Sequence, residues 1–299
     1  MRFLFFFLSI IFFSSALCAQ QSKIISTDKI KSEILGQELE YSIYLPANYE
    51  TSEKLYPVLY LLHGAWDNHL GWVNWGDLLN IADKTIAASE SPEMIIVMPD
   101  GLVDTFYQNN YDGSVRYEDF FIQELIPYIE SKYKSLTSEQ TDSAIPMRAI
   151  AGQSMGGYGA LYLTLKHPNL FTATYTSSAG FIDLPRMYNK PFDADVLDDT
   201  FSRIWGPKKK NGSFKNFRAN SIQEMISLLS PEQIADLPPI FIECGDDDYL
   251  LDGNIEVSQA LKSKGAHIEF RIFNGAHTTE YWRDKVDDIL IFVGNYFLK

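Results

Sequence analysis

The sequence predicts an α/β domain, with a mainly parallel central sheet covered by helices on both faces. Three observations carry that expectation. Short apolar runs recur along the chain and end in glycine or polar residues, as strands buried on both faces of a parallel sheet do. Between them, apolar residues repeat at three- and four-residue spacing, and alternation of the two patterns marks a sheet sandwiched between helices. At one junction, AIAGQSMGGYGAL (149–161), a serine stands between glycines where a strand pattern gives way to a helix pattern.

The elements follow in chain order. Residues 1–19, MRFLFFFLSIIFFSSALCA, have one basic residue, Arg2, an apolar stretch from Phe3 to Leu17 and then small residues, the layout of a secretory signal peptide. The apolar stretch of roughly 15 residues is short of the ~20 that span a bilayer, which disfavours a transmembrane anchor. Cleavage is expected after Ala19, with export to a periplasmic or extracellular space. Lipidation at Cys18 is the weaker alternative, because Leu17 is bulkier than the small residue expected before a lipidated cysteine. What remains, 20–299, is long enough for one large domain with a buried core. No second apolar run is long enough to span a membrane.

The net charge is −14, one unit more negative without Arg2. An acidic surface repels polyanions, so nucleic acid and anionic membranes are poor partners. With Cys18 in the leader, Cys244 is the sole thiol, which excludes an internal disulfide and a cysteine metal cluster.

Glu38 to Pro46 alternates apolar with polar residues and predicts an antiparallel opening strand. Buried strands are predicted in PVLYLLHG (57–64), EMIIVMPDG (93–101), RAIAGQS (148–154), TATYTSSAG (172–180) and PIFIECGDDD (239–248). IEFRIF (268–273) alternates apolar with charged positions, as nearer a sheet edge. In YEDFFIQELIPYIESKY, Phe121, Ile122, Leu125, Ile129 and Tyr133 share a helix face, with a kink expected at Pro127. Trp282, Val286, Ile289, Leu290, Val293, Tyr296 and Phe297 predict a final helix. From Phe181 to Pro239 strand signals stop, and Pro185, Pro191, Pro207, Pro231, Pro238 and Pro239 punctuate short helical segments. Insertions and ligands collect outside the carboxyl ends of parallel strands, so 181–239 is read as a short lid or pocket-wall insertion.

Gly152-Gln153-Ser154-Met155-Gly156 fits G-x-S-x-G. With a strand before and a helix after, it reads as a nucleophile elbow, a strained turn that thrusts the serine hydroxyl out at the top of a sheet. A glycine-rich turn with an incidental serine is the plainer alternative. A serine hydroxyl needs a base and an orienting acid. Of five histidines, His63 and His69 precede the serine, His167 ends the helix after it, and His267 sits just before the edge strand. His277, in FNGAHTTEYW, lies on a loop leaving the last strand and is the candidate base, with Gly275 and Ala276 allowing close approach. The acid is expected from ECGDDDYLLD, where Asp246, Asp247, Asp248 and Asp252 compete. Alone, that run also fits a solvated loop or a weak calcium site. Backbone N–H groups of Met155, after the nucleophile, and Ala65, after Gly64 in YLLHGAW, are the candidate oxyanion hole, with His63 structural in that turn.

Together, YLLHGAWDNHLGW, MPDG, YEDFFIQELIPYIESKY, AGQSMGGYGAL, FSRIWGP, ECGDDDYLL and FNGAHTTEYW resemble the esterase D family of α/β-hydrolases. That group holds feruloyl and acetyl-xylan esterases, tributyrin esterases, S-formylglutathione hydrolases, siderophore esterases and mycolyltransferases. The resemblance runs from about residue 40 to 297 and implies an α/β-hydrolase fold. The family's acid block, C-G-x-x-D-x-L, falls on Cys244, Gly245, Asp248 and Leu250, which implies Asp248 as the acid. Gln153 departs from the histidine of many relatives and is expected to point away from the chemistry, while Asp183 to Thr200 matches no family motif.

The resemblance is nearest the feruloyl esterase branch. Trp66, Trp72, Trp75, Phe106, Tyr107 and Tyr111 lie near loops at the expected mouth, where aromatic faces suit a phenolic acyl group or a sugar ring. About half are expected in the core, and Trp66, Trp72 and Tyr107 are the substrate-binding candidates. The expectation is therefore an exported serine carboxylesterase acting on acylated carbohydrates, with no metal or organic cofactor and with oligomeric state open. A siderophore esterase and an acyltransferase are the alternatives within catalysis. A carbohydrate-binding module on an inactive scaffold is the one outside it.

Overall fold

The computed structural model describes residues 21–137, 140, 147–181 and 194–298. The leader, with Cys18, lies outside these residues, as do positions 182–193 of the insertion. One sheet of eight strands has the order β1-β2-β4-β3-β5-β6-β7-β8. β1 (Lys23–Ser32) pairs antiparallel with β2 (Gln37–Leu45), and β2 antiparallel with β4 (Ile95–Pro99). β3 (Val58–Leu62), β5 (Arg148–Gln153), β6 (Ala173–Ser177), β7 (Ile240–Gly245) and β8 (Ile268–Phe273) continue from β4 in parallel.

All predicted strands are present, with one correction. The Glu38–Pro46 pattern is β2, and the opening strand is β1, KIISTDKIKS, which sequence patterning missed. β1 is an edge strand whose residues are mostly half-buried or exposed. Its lysines at 23, 29 and 31 carry charge along the open edge, a common guard against pairing with another chain.

Alternate residues of the central strands serve two cores. Val58, Tyr60 and Leu62 join one apolar layer, and Leu59 and Leu61 join the other, as the two-residue period of a strand dictates. Each large apolar side chain so buried contributes about 1.5–3 kcal/mol. The helices are α1 (Gly71–Asn74), α2 (Leu78–Ala87), α3 (Tyr117–Phe120), α4 (Ile126–Lys132), α5 (Met155–Lys166), α6 (Ala194–Trp205), α7 (Phe217–Asn220), α8 (Ile222–Leu228), α9 (Pro231–Ala235), α10 (Leu251–Ser263), α11 (Thr279–Arg283) and α12 (Val286–Phe297).

Two helical expectations are refined. The 117–132 run contains a π-helical turn, Phe121–Leu125, directly ahead of Pro127; a proline without an N–H cannot close the regular i→i−4 bond, and the wider turn takes up the mismatch. The C-terminal pattern is two helices, because the chain breaks at Asp284 and Lys285, and Trp282 belongs to the first.

No strand interrupts the described part of 181–239. Phe201 and Trp205 of α6 stack at 4.5 Å, and Phe214 packs edge-on against both. No helix among the described residues is long and apolar enough to cross a membrane.

The strand order places the site. β3 has β4 on one side and β5 on the other, so the chain switches direction across the sheet between β3 and β5. Loops leaving the carboxyl ends of two such strands part and leave a crevice. The turn after β3 is His63-Gly64-Ala65, and the turn after β5 is Ser154.

Candidate active site

Ser154 has φ 52° and ψ −118°, a region costly for a residue with a Cβ, of order 1–3 kcal/mol. Its N–H donates to the Ser177 carbonyl at 3.0 Å, and its carbonyl accepts from Gly180 N–H at 2.9 Å and Tyr158 N–H at 3.0 Å. The flanking glycines are a steric requirement. A Cβ on Gly152 would stand 2.5 Å from the Gly156 carbonyl, and one on Gly156 would stand 2.4 Å from the Leu62 oxygen and 2.7 Å from the His63 oxygen. The start of α5 therefore rides directly on the backbone of the β3 turn.

His277 arrives from the loop between β8 and α11. Gly275 N–H donates to Asp246 Oδ1 at 2.9 Å, and Asp247 N–H donates to the Gly275 carbonyl at 2.8 Å. Gly275 has φ 152°, and a Cβ there would meet the Tyr281 ring at 2.3 Å. The imidazole lies between two rings, Tyr249 at 4.7 Å and Trp282, edge-on, at 4.7 Å. Its Nδ1 is 2.9 Å from Asp248 Oδ2, and its Nε2 is 3.0 Å from Ser154 Oγ.

Asp248 is buried, and its Oδ1 accepts the Leu250 N–H at 2.8 Å. Burial pushes its carboxyl up, but hydrogen bonds from His277, Leu250 N–H and Ser178, with the electrostatic pull of the adjacent imidazole, outweigh it and hold the group below the usual carboxylate range. An ionised carboxylate only accepts, so His277 Nδ1 carries the proton and Nε2 is left to accept from the serine hydroxyl. The acidic run is thus divided: Asp246 ties the Gly275 loop, Asp248 meets the imidazole, and Asp252 lies in the first turn of α10.

The other histidines lie elsewhere. His69 bonds Glu40 and Ser42, His167 bonds Glu118, and His267 is exposed ahead of β8. His63 is buried beneath the β3 turn.

These residues open onto a cavity of about 430 Å³ lined by Ser154, His277, Met155, Gly64 and Ala65, a volume suited to a small-molecule ligand. Met155 is the first residue of α5, where a backbone N–H has no partner within the helix and the helix dipole favours negative charge. Trp66, Trp75, Phe106, Tyr249 and Trp282 form the aromatic wall, and Asp67, Asp104 and Thr200 add polar groups.

Three sequence expectations need correction. Trp72 is buried against Trp75 and donates its indole N–H to the Leu62 carbonyl, so it supports the wall from behind. Tyr107 is fully buried, and its hydroxyl donates to the His63 carbonyl at 3.0 Å. Of the three proposed substrate contacts, only Trp66 reaches the cavity. Gln153, expected to point away, lines the cavity with its amide packed against Gly64. Tyr249 and Trp282 were missed, although each lies within five residues of a quoted site residue, in DDDYLL and AHTTEYW.

A family model described as "Putative esterase" matches residues 32–293. An esterase of Mycobacterium tuberculosis is 35% identical over 270 residues, covering 83% of this chain and 54% of the relative. The chain thus spans about half the length of that relative. An acetyl esterase of Caldicellulosiruptor saccharolyticus is 25% identical over 234 residues, covering 75% of this chain and 78% of the relative. The solved structure of a ferulic acid esterase superposes with a TM-score of 0.77 at 35% identity, covering 93% of this chain and 99% of that one.

Proposed function

The chain belongs to the esterase family, and from that premise we propose that it is an exported serine carboxylesterase that removes feruloyl- or acetyl-type groups from carbohydrates. The observation that carries the reading is the continuous relay of 3.0 Å from Ser154 Oγ to His277 Nε2 and 2.9 Å from His277 Nδ1 to Asp248. Ser154 attacks the ester carbonyl while His277 takes its proton. Asp248 fixes the tautomer and stabilises the imidazolium. The N–H groups of Met155 and Ala65 hold the oxyanion, His277 returns the proton to the leaving alcohol, and water repeats the cycle on the acyl-enzyme.

The substrate class rests on the aromatic wall and on the relatives. Five rings around a cavity of this size suit a planar phenolic acyl group or a pyranose face, and matched relatives include a ferulic acid esterase and an acetyl esterase. Export rests on the leader read at residues 1–19.

The test is a panel of methyl ferulate, acetylated xylan, short p-nitrophenyl esters and a catecholate siderophore, assayed for wild type and Ser154→Ala, with and without an acceptor sugar. Hydrolysis of the first two, abolished in the variant, is the expected result. Turnover confined to the siderophore, or acylated sugar as main product, transfers the chain to the rival reading named by that product. A wild type inactive throughout, with Ser154 unlabelled by a fluorophosphonate, overturns the proposal.

A further inference from the structure

We propose that His63 is a positioning residue for ester hydrolysis: its imidazole holds the Gly64–Ala65 peptide in the orientation that aims the Ala65 N–H into the cavity. The inference rests on the esterase reading above and deepens it.

The proton positions on His63 follow from its partners. Gly101 N–H lies 2.7 Å from Nε2, and a backbone N–H can only donate, so Nε2 is an acceptor. The Gly64 carbonyl oxygen lies 2.7 Å from Nδ1, and a carbonyl can only accept, so Nδ1 carries the proton. The two contacts together select one neutral tautomer. Burial favours the same neutral form by pushing the imidazole's pKa down.

Gly64 C=O and Ala65 N–H belong to a single planar unit and point in opposite directions. Pinning the carbonyl to His63 therefore turns the Ala65 N–H to the other side, and Ala65 lines the cavity with Ser154 and Met155. Were this peptide to rotate by half a turn, a carbonyl would face the developing oxyanion and repel it.

The rest of the turn is braced against that rotation. A Cβ on Gly64 would stand 2.5 Å from the Gln153 amide, so the elbow packs directly on the peptide. Tyr107 holds the His63 carbonyl from below. Trp66 N–H donates to the Val103 carbonyl at 2.9 Å, and Thr105 Oγ1 donates to the Gly101 carbonyl at 2.6 Å. The 101–107 loop thus grips both His63 and the residue following Ala65.

Two substitutions separate the two contacts. His63→Asn places an amide nitrogen where Nδ1 lies, keeping the donor to Gly64 and leaving Gly101 N–H buried without its acceptor. His63→Gln places an amide oxygen where Nε2 lies, keeping the acceptor for Gly101 and losing the donor to Gly64. The measurements are kcat and KM on an ester from the panel, the rate ratio of that ester to its thionoester, and the urea midpoint.

In His63→Gln, kcat is expected to fall about 10–100-fold with KM little changed, a loss below that for deleting an oxyanion donor outright. The ester-to-thionoester ratio should shrink with it, because sulfur makes poor use of these donors. His63→Asn should recover most of the kcat loss while having the lower urea midpoint. A merely structural role would make activity follow stability and favour the glutamine variant.

Retention of kcat in His63→Gln, or losses ordered by the two urea midpoints, overturns the inference and leaves the esterase reading intact if Ser154→Ala is inactive. An inactive wild type overturns both.

Discussion

In the proposed mechanism, Ser154 is served by two arms built from different materials. The acid–base arm, after β7 and β8, acts through side chains: Asp248, His277 and the rings of Tyr249 and Trp282. The oxyanion arm, after β3 and β4, presents backbone, and its side chains His63 and Tyr107 serve to hold that backbone. Side-chain chemistry tolerates isosteric change in shape and fails in function. A packed backbone surface fails in shape first.

The largest expected effect tests the first half of that contrast. Asp248→Asn keeps the size of the side chain but lets the imidazole take the wrong tautomer, and kcat/KM should fall by about 10³–10⁴. Its urea midpoint should stay near wild type. An unfolded or fully active variant would break the contrast.

Gly156→Ala probes the other half. Its methyl would meet the Leu62 oxygen at 2.4 Å, a contact with backbone that cannot swing aside. A stability loss of about 3 kcal/mol or more is expected from such overpacking, measured by urea unfolding. An unmoved midpoint would show that α5 does not ride on the β3 turn that carries the oxyanion arm.

The acid–base arm also has a titrating footing. Tyr281, in the helix after His277, donates its hydroxyl to buried Glu243, whose carboxyl burial pushes up to about 7 from an ordinary 4.5. The folded form therefore binds more protons than the unfolded one between those values. The stabilising contribution is complete below about pH 4.5 and is lost as pH rises through about 7, at most about 3 kcal/mol in all. Glu243→Gln should flatten that decline in urea midpoints measured from pH 4.5 to 8. An unchanged slope would assign the pH dependence elsewhere.

The smallest effect is at the rim. Trp66, 65% exposed, lines the cavity from a strained turn with φ 59°. Trp66→Ala should raise KM for an aromatic or glycosyl ester about three- to tenfold through lost ring contact, with kcat and stability little altered. A fall in kcat instead would mean that this side chain braces the oxyanion arm.

The same contrast explains what could be read before folding. The acid–base arm was legible because chemistry restricts residue type: one serine between glycines, one histidine on the right loop, one acid once the family block was aligned. The sheet was legible for a similar reason, since strands buried on both faces must be apolar throughout. β1 was not, because it has no continuous apolar run and an irregularity between Ile25 and Asp28 breaks the alternation that made the other edge strand, β8, readable.

The oxyanion arm left only glycines as a trace. An aromatic residue near a mouth looks the same in sequence whether its ring faces the ligand or props up a peptide. Trp72 and Tyr107 do the propping, while Trp75 and Phe106 face the cavity. Gln153 escaped for a related reason, since nothing in its residue type reveals that Gly64 leaves room for its amide.

Cys244, four positions ahead of Asp248 on β7, has no solvent exposure, and burial pushes its thiol pKa up. In a chain freed of residues 1–19 it is the only sulfhydryl. Such a group is inert to a maleimide until the sheet around it parts. Its labelling rate is therefore an intrinsic clock for the opening of β7, readable without a dye, a tag or an added mutation.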